Sequence, residues 1–179
     1  MIKKSSGSLR DHIRSIPDFP KKGILFHDIT TLINDPGAFR KSISGLTKPY
    51  KGVKIDKVVA VESRGFIFGA VLAYKLGAGL VPVRKKGKLP YKTVSVGYSL
   101  EYGVSELEMH ADAVSAGENV LIVDDLLATG GTVGAVIDLL EKFRVKIKGI
   151  AFVIELPDLK GRSKLKKYPV TSLVKIAGD

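Results

Sequence analysis

The stretch from Val120 to Thr132 contains the side chains best suited to chemistry. It reads VLIVDDLLATGGT, an apolar strand followed by two adjacent carboxylates, Asp124 and Asp125, and a turn of small residues. A helix that begins after this turn would offer free backbone amides and the positive end of its dipole to an anion. Glycines let the backbone approach phosphate oxygens, and threonine hydroxyls add hydrogen-bond donors. We therefore expect a phosphate at Ala128, Thr129, Gly130, Gly131 and Thr132.

Two aspartates beside a phosphate would repel it unless they face another group, such as sugar hydroxyls or a divalent cation. A phosphorylated sugar satisfies both halves of the motif. Other phosphate-binding motifs do not fit the spacing. The sequence has no Gly-x-x-x-x-Gly-Lys-Ser/Thr string, and a dinucleotide fingerprint would need glycine where Thr129 stands.

Composition limits the classes of protein that need to be considered. With 179 residues, 45% of them hydrophobic, we expect residues 1–179 to form a single domain. The absence of cysteine excludes disulfides, thiolate zinc sites and cysteine nucleophiles, and fits a reducing compartment. No apolar run is long enough for a membrane helix and the N-terminus is too polar for a signal peptide, so we expect a cytoplasmic protein without a membrane partner.

The chain carries 29 Lys and Arg against 18 Asp and Glu, a net charge of +11. This excess favours phosphorylated partners, either nucleic acid or small anionic metabolites. Two clusters hold much of it: Arg84, Lys85, Lys86, Lys88 and Lys92, and then Lys160, Arg162, Lys164, Lys166 and Lys167. We expect the second cluster to be the surface of a solvated helix.

Apolar runs and turn residues predict strands that alternate with helices. The predicted strands are Lys57–Val61, Leu80–Val83, Asn119–Val123 and Lys148–Glu155, and the predicted helices are Pro36–Leu46 with Asp35 as its cap, Gly65–Leu76 and Thr132–Phe143. Continuously apolar strands are covered on both faces, which indicates parallel strands joined by helical crossovers. The predicted fold is α/β, an open, twisted, mostly parallel sheet flanked by helices.

In such a sheet, ligands bind at the carboxyl ends of the strands. Three loops lie there: Glu62–Gly65, Arg84–Lys88 and Asp124–Gly131. The segment Thr93–Ala111 alternates instead like an antiparallel hairpin with a Gly-bounded connection. Residues 96–106 could close there as a lid. Its solvent face is predicted to carry Glu106, Glu108 and His110, which we interpret as exposed side chains rather than as a metal site.

Five blocks of the sequence, in order, resemble the type I phosphoribosyltransferase family, and its adenine-using branch in particular. The similarity runs from about Ile13 to Leu173. The blocks are PDFP with Gly23 and FHDI (residues 17–29), ESRGF (62–66), RKKGKLP (84–90), YSLEYG (98–103) and VLIVDDLLATGGT (120–132).

The resemblance implies transfer of a phosphoribosyl group from phosphoribosyl pyrophosphate to adenine, giving AMP and pyrophosphate. It also implies Mg²⁺ carried by the pyrophosphate without a direct protein ligand, and a homodimer. By the same resemblance, residues 128–132 bind the 5'-phosphate while Asp124 and Asp125 hold the ribose hydroxyls. Pyrophosphate would be bound by Ser63, Arg64, Arg84, Lys85 and Lys88, the basic loop acting in part across the dimer interface.

Residues 1–50 would form the base-recognition segment, with adenine held by Leu25, Phe26 and His27. The family commonly has arginine where this chain has His27, a change that is tolerable if the position binds through its backbone. The lid would supply Glu101, as a general acid at an imidazole nitrogen, and Tyr102, packed over the sugar. Together with Arg64 these are the expected catalytic residues.

Two other functions remain open at this point. One is a phosphoribosyltransferase for another purine base. The other is a regulator that senses phosphoribosyl pyrophosphate and binds nucleic acid through its basic surface, although residues 1–55 resemble the base-recognition segment and leave no room for a helix-turn-helix domain.

Overall fold

The computed structural model describes residues 7–100 and 103–178. Its strands are β1 (Arg14–Ile16), β2 (Phe26–Asp28), β3 (Lys57–Val61), β4 (Gly79–Lys85), β5 (Thr93–Leu100), β6 (Gly103–His110), β7 (Asn119–Leu127), β8 (Lys146–Glu155) and β9 (Val170–Lys175). Its α-helices are α1 (Thr30–Asn34), α2 (Pro36–Thr47), α3 (Gly65–Leu76) and α4 (Gly131–Glu141). Short 3₁₀ helices cover Leu9–His12, Lys48–Tyr50, Pro157–Leu159 and Gly161–Leu165.

Seven strands form one sheet in the order β5-β6-β4-β3-β7-β8-β9. The five neighbouring strands β4, β3, β7, β8 and β9 are parallel to one another. The β5–β6 hairpin is antiparallel and pairs through β6 with the edge of β4. This arrangement confirms the predicted α/β class. It also places the carboxyl ends of β3, β4 and β7 next to one another.

Both faces of the sheet are covered, as the apolar strands predicted. On one face, Val58 and Leu121 pack with buried residues of α1, α2 and α3. On the other, Val59 and Ile122 pack with α4 and with Leu107 of the hairpin. Successive residues of one strand therefore enter two separate cores, which fixes the register of each strand.

The predicted boundaries of β3 and α3 are confirmed. Gly77 ends α3 in the left-handed conformation with φ of 64°, and the Asp35 side chain accepts a hydrogen bond from the amide of Ala38 at the start of α2. The prediction for β7 was too short, because its ladder with β8 continues past the apolar run to the pairing of Leu127 with Glu155. The two aspartates thus lie within the strand rather than after it.

Other predictions were wrong in detail. Helix α4 ends at Glu141 rather than Phe143, and β4 and β8 each begin before their predicted first residue. The ribbon β1–β2 and strand β9 were not predicted, because both are too short or too mixed in polarity to show a period. The second basic cluster lies on and around two short 3₁₀ helices and not on a regular helix.

Among the described residues, no helix is long and apolar enough to cross a membrane.

Candidate active site

A cavity of about 350 Å³ opens at the carboxyl edge of the sheet, where β3, β4 and β7 end. It is bounded by residues that the sequence placed on three different loops. The lining consists of Val61, Glu62, Ser63, Arg64, Lys85, Tyr98, Leu107 and the ten residues 124–133. Ser63, Arg64, Lys85 and all seven residues predicted to bind ribose 5-phosphate therefore share one cavity.

The turn between β7 and α4 has the geometry expected of an anion-binding loop. Gly130 precedes the helix with φ of 77°, a left-handed conformation that side chains rarely adopt. Helix α4 then begins at Gly131, so the amides of its first turn point toward the cavity that residues 128–132 line. Glycine suits position 130 because of this φ and because a Cβ atom there would lie only 3.0 Å from the Gly161 carbonyl oxygen.

Asp124 and Asp125 are both buried, at 9% and 5% exposure. Burial, together with repulsion by Asp125, raises the pKa of Asp124 well above its ordinary value. Burial also raises the pKa of Asp125, although the nearby Arg64 guanidinium acts in the opposite direction. The backbone amide of Asp125 donates to Asp124 Oδ1 at 2.8 Å. A hydrogen-bond donor or a cation of a ligand would stabilise the ionised form of two carboxylates buried in this way.

Arg64 connects the acid pair with the N-terminal segment. Its Nε lies 2.7 Å from Asp125 Oδ2, and its guanidinium carbon lies 4.9 Å from the centre of the Phe26 ring. Its Nη1 is buried without a hydrogen-bond partner among the described residues. A buried donor of this kind is costly to leave unpaired, so it marks a position where a ligand acceptor fits.

Two cations of the basic loop, Arg84 and Lys88, pair with one carboxylate, Glu62, which had not been assigned to the site. Glu62 accepts from Arg84 Nε at 3.1 Å, Lys88 Nζ at 2.5 Å and the Lys85 amide at 3.2 Å. Burial alone would raise the pKa of Glu62, but these hydrogen bonds outweigh it and lower the pKa. Its position at the end of a predicted strand was the signal that could have revealed it.

The expectation that Glu108 is exposed was wrong. Its side chain is 4% exposed and accepts hydrogen bonds from the amides of Lys88 and Leu89 and from the Thr93 hydroxyl. The basic loop folds over this face of the hairpin and buries the carboxylate. The part of the chain that the structure describes has no group of three or more side chains able to hold a metal ion.

The predicted adenine-binding residues adjoin the cavity through Arg64. Phe26 stacks edge-to-face with Phe19 at 5.1 Å between ring centres, and Leu25 is 37% exposed. His27 is buried and its Nδ1 lies 3.3 Å from the Ser15 hydroxyl within the β1–β2 ribbon. The ring of His27 is therefore engaged in the ribbon, and His27 does not line the cavity.

Two predicted catalytic residues, Glu101 and Tyr102, lie outside the described residues. The strands on either side form the predicted hairpin, and β5 places Tyr98 in the cavity wall. Tyr98 belonged to a quoted sequence block but had not been assigned to the site.

Comparison with known proteins agrees with this geometry. Residues 37–178 match the model of the phosphoribosyl transferase domain. The adenine phosphoribosyltransferase of Rhizobium leguminosarum is 53% identical over 180 aligned residues, which cover 99% of each chain. That of Desulfosudis oleivorans is 53% identical over 171 residues, covering 96% of this chain and 99% of the relative.

Solved structures show the same similarity in three dimensions. The adenine phosphoribosyltransferase from Rhodothermus marinus superimposes with a TM-score of 0.91 at 49% identity, over 94% of this chain and 96% of that one. The enzyme from Saccharomyces cerevisiae, solved with an imino-altritol bisphosphate and adenine, gives a TM-score of 0.87 at 45% identity, over 93% and 96% of the two chains. The chain therefore belongs to the phosphoribosyltransferase family, and within it to the adenine phosphoribosyltransferases.

The buried acid pair predicts an unusual stability profile for Asp124→Asn. Since the folded-state pKa of Asp124 lies above the ordinary 3.8, its ionised form destabilises the fold, and the penalty grows as pH rises from 3.8 through the folded-state pKa. Asparagine cannot ionise and can still accept from the Asp125 amide. We expect the variant to be more stable than the parent at pH 8, by an amount that shrinks toward pH 4.5, in urea unfolding.

The control is Asp112→Asn, which replaces a solvent-exposed carboxylate on a turn. A stability difference for Asp124→Asn that is the same at both pH values, or that favours the parent at pH 8, would contradict the assignment.

Proposed function

We propose that the protein transfers the 5-phosphoribosyl group of phosphoribosyl pyrophosphate to adenine, forming AMP and pyrophosphate in purine salvage. The observation that carries this proposal is the buried acid pair of β7 leading directly into the glycine turn at the start of α4, in one cavity with Ser63, Arg64 and Lys85. The relatives named above, about half identical over nearly the whole chain, support adenine as the acceptor.

The 5'-phosphate is expected on the turn between β7 and α4. Gly130 and Gly131 expose the backbone there, and the dipole of the eleven-residue helix α4 favours an anion. The hydroxyls of Thr129 and Thr132 add donors. The ribose hydroxyls are expected at Asp124 and Asp125, whose carboxylate oxygens can accept hydrogen bonds from them.

Pyrophosphate is expected between Ser63 and Arg64 on one side and Arg84, Lys85 and Lys88 on the other. In the described structure two of these cations are paired with Glu62, so pyrophosphate has to compete with an internal carboxylate for them. A polyanion with several charges outcompetes a single carboxylate at such a cluster.

Magnesium fits this site as an ion that arrives on the pyrophosphate. The donor set contains the two aspartates, whose oxygens suit a hard cation, yet Asp125 is already paired with Arg64. When bound, Mg²⁺ would neutralise part of the charge on the leaving group. Arg64 and the basic loop do the same from the protein side, because their cations face the oxygens on which negative charge grows.

Adenine is expected against the Phe26 ring, with its amino edge at the backbone of residues 25–27. Arg64 lies on the same ring, so the base and the sugar sites share one side chain. The backbone role is supported by the engaged ring of His27, and it accounts for histidine in place of arginine.

During transfer, a ring nitrogen of adenine bonds to the anomeric carbon as the bond to pyrophosphate breaks. The sugar passes through an oxocarbenium-like state, and the base has to shed or shift one proton. We propose that the carboxyl group of Glu101 assists this proton transfer at an imidazole nitrogen of adenine. Tyr102 would cover the sugar when the lid of residues 96–106 closes and excludes water.

We further propose a cytoplasmic homodimer formed by the single domain of residues 1–179. Ile67 and Tyr74 of α3 and Leu80 of β4 are exposed apolar side chains, at 37%, 88% and 43%, which supports an association surface on these two elements. The lack of cysteine supports a reducing compartment. Neither another purine base nor nucleic acid is favoured as the partner by the relatives at about 50% identity.

A panel of purine bases tests the proposed acceptor. A site that binds an exocyclic amine leaves buried polar groups unpaired when an oxo group replaces it, so we expect kcat/KM for adenine to exceed that for hypoxanthine by up to about 10⁴-fold. Radiolabelled AMP formation measures this ratio. Comparable values for adenine and hypoxanthine, or retention of nucleic acid at physiological salt without turnover, would refute the proposal.

Replacement of the lid carboxyl group tests the proton-transfer step. General acid–base assistance contributes about 10² to 10⁴-fold, so Glu101→Gln should lower kcat well beyond tenfold. Glu106→Gln, which removes the β6 carboxylate that pairs with Lys86 of the basic loop, is the control and should change kcat little. Rapid-quench measurement of AMP formation isolates the chemical step, and an unchanged burst rate in Glu101→Gln would exclude it from catalysis.

A further inference from the structure

Another buried carboxylate, Glu155, lies at the end of β8, outside the cavity lining but next to the turn of residues 128–132, here called the phosphate turn. Glu155 is 3% exposed and pairs in register with Leu127, the last residue of β7. Its two oxygens accept from Arg162 Nε at 2.7 Å and Arg162 Nη2 at 2.6 Å, a bidentate pair. The Ser172 hydroxyl donates to the same carboxylate at 2.5 Å.

All three nitrogens of the Arg162 guanidinium donate hydrogen bonds to residues around Glu155. Besides Glu155, its Nη1 donates to the Val170 carbonyl at 3.0 Å and its Nη2 to the Ser172 hydroxyl at 3.0 Å. Its hydrogen bonds lower the pKa of Glu155 from 4.5 to about 2, so the pair stays charged at neutral pH. The guanidinium thus connects the Gly161–Leu165 helix with the end of β8 and the start of β9, and the expectation that Arg162 is merely part of a solvated surface was wrong.

The residue before Arg162 touches the phosphate turn directly. A Cβ atom on Gly161 would lie 2.1 Å from the Ala128 carbonyl oxygen and 2.9 Å from the Gly130 nitrogen. In the other direction, a Cβ on Gly130 would lie 3.0 Å from the Gly161 carbonyl oxygen. The two backbones are therefore packed as closely as glycine allows, at the turn whose amides face the cavity.

We propose that Arg162 is a positioning residue for the phosphate turn. Its bidentate pair with Glu155 keeps the Gly161 backbone in contact with residues 128–130. The inference rests on the proposed function, since the turn is taken to bind the 5'-phosphate. The pair never reaches the ligand. It acts by holding the turn in one shape, so that the amides at the start of α4 need no ordering when the phosphate arrives.

The bidentate geometry distinguishes this role from a simple charge effect. Lysine keeps the positive charge at position 162 but cannot form the two parallel hydrogen bonds to Glu155. Arg162→Lys and Arg162→Gln should therefore behave alike. In both we expect KM for phosphoribosyl pyrophosphate and the Kd for ribose 5-phosphate to rise about 10- to 100-fold, the range that follows small displacements of a binding group. KM for adenine should stay within about twofold.

Two further variants make the test specific. Lys164→Gln removes an exposed cation from the same short helix and should leave KM and Kd unchanged. Gly161→Ala leaves the ion pair in place but forces the two backbones apart, so it should weaken phosphate binding as the Arg162 variants do. Gly161→Ala also provides the test if the Arg162 variants fail to fold.

Amide hydrogen exchange of residues 127–132 in the ligand-free protein reads the turn independently of turnover. We expect faster exchange in Arg162→Lys and Gly161→Ala, confined to this turn and its neighbours, and parent-like exchange in Lys164→Gln. Parent-like exchange and parent-like Kd in the folded variants, or a rise in KM for adenine equal to that for phosphoribosyl pyrophosphate, would overturn the proposal. If the parent itself fails to form AMP while the exchange result holds, the proposed function fails and the positioning role stands.

Discussion

The candidate site is organised around two adjacent carboxylates that are buried at the carboxyl end of β7. Ionised acids in a protein interior are costly, and here the pKa of each is raised by that burial. The two acids are buried because strand β7 continues past its apolar run. Its ladder with β8 continues to Leu127, which carries the acids into the cavity and delivers the chain to the glycine turn in fixed register.

The surrounding charges are arranged around this pair. Arg64 lies against Asp125 and the Phe26 ring, while Glu62 pairs with two cations of the basic loop, Arg84 and Lys88. The acidic and basic side chains of the site are thus paired with one another within the protein. A phosphorylated sugar would contact both the carboxylates and the cations. On this account ligand binding exchanges internal ion pairs for ligand contacts, which favours substrates that carry hydroxyls and phosphates together.

Sequence reasoning predicted the parts of the site that lie on long, regular elements. The apolar run of β7 followed by Asp124, Asp125 and two glycines identifies both a strand end and a helix start, because period and turn chemistry agree there. The ion pairs of Glu62 and Arg162 were missed, as were the hydrogen bonds that Glu108 accepts from the amides of Lys88 and Leu89. Each depends on a contact between residues at least seven and up to 26 positions apart, which no local pattern reports.

The most direct test of the account is a crystal structure of the protein with AMP bound. We expect the phosphate within hydrogen-bond distance of the amides of residues 129–132, and both ribose hydroxyls on the carboxylates of Asp124 and Asp125. The adenine ring should lie against Phe26. A phosphate bound instead by Arg84, Lys85 and Lys88, with the ribose away from the two aspartates, would contradict the central claim that the end of β7 is the sugar-phosphate site.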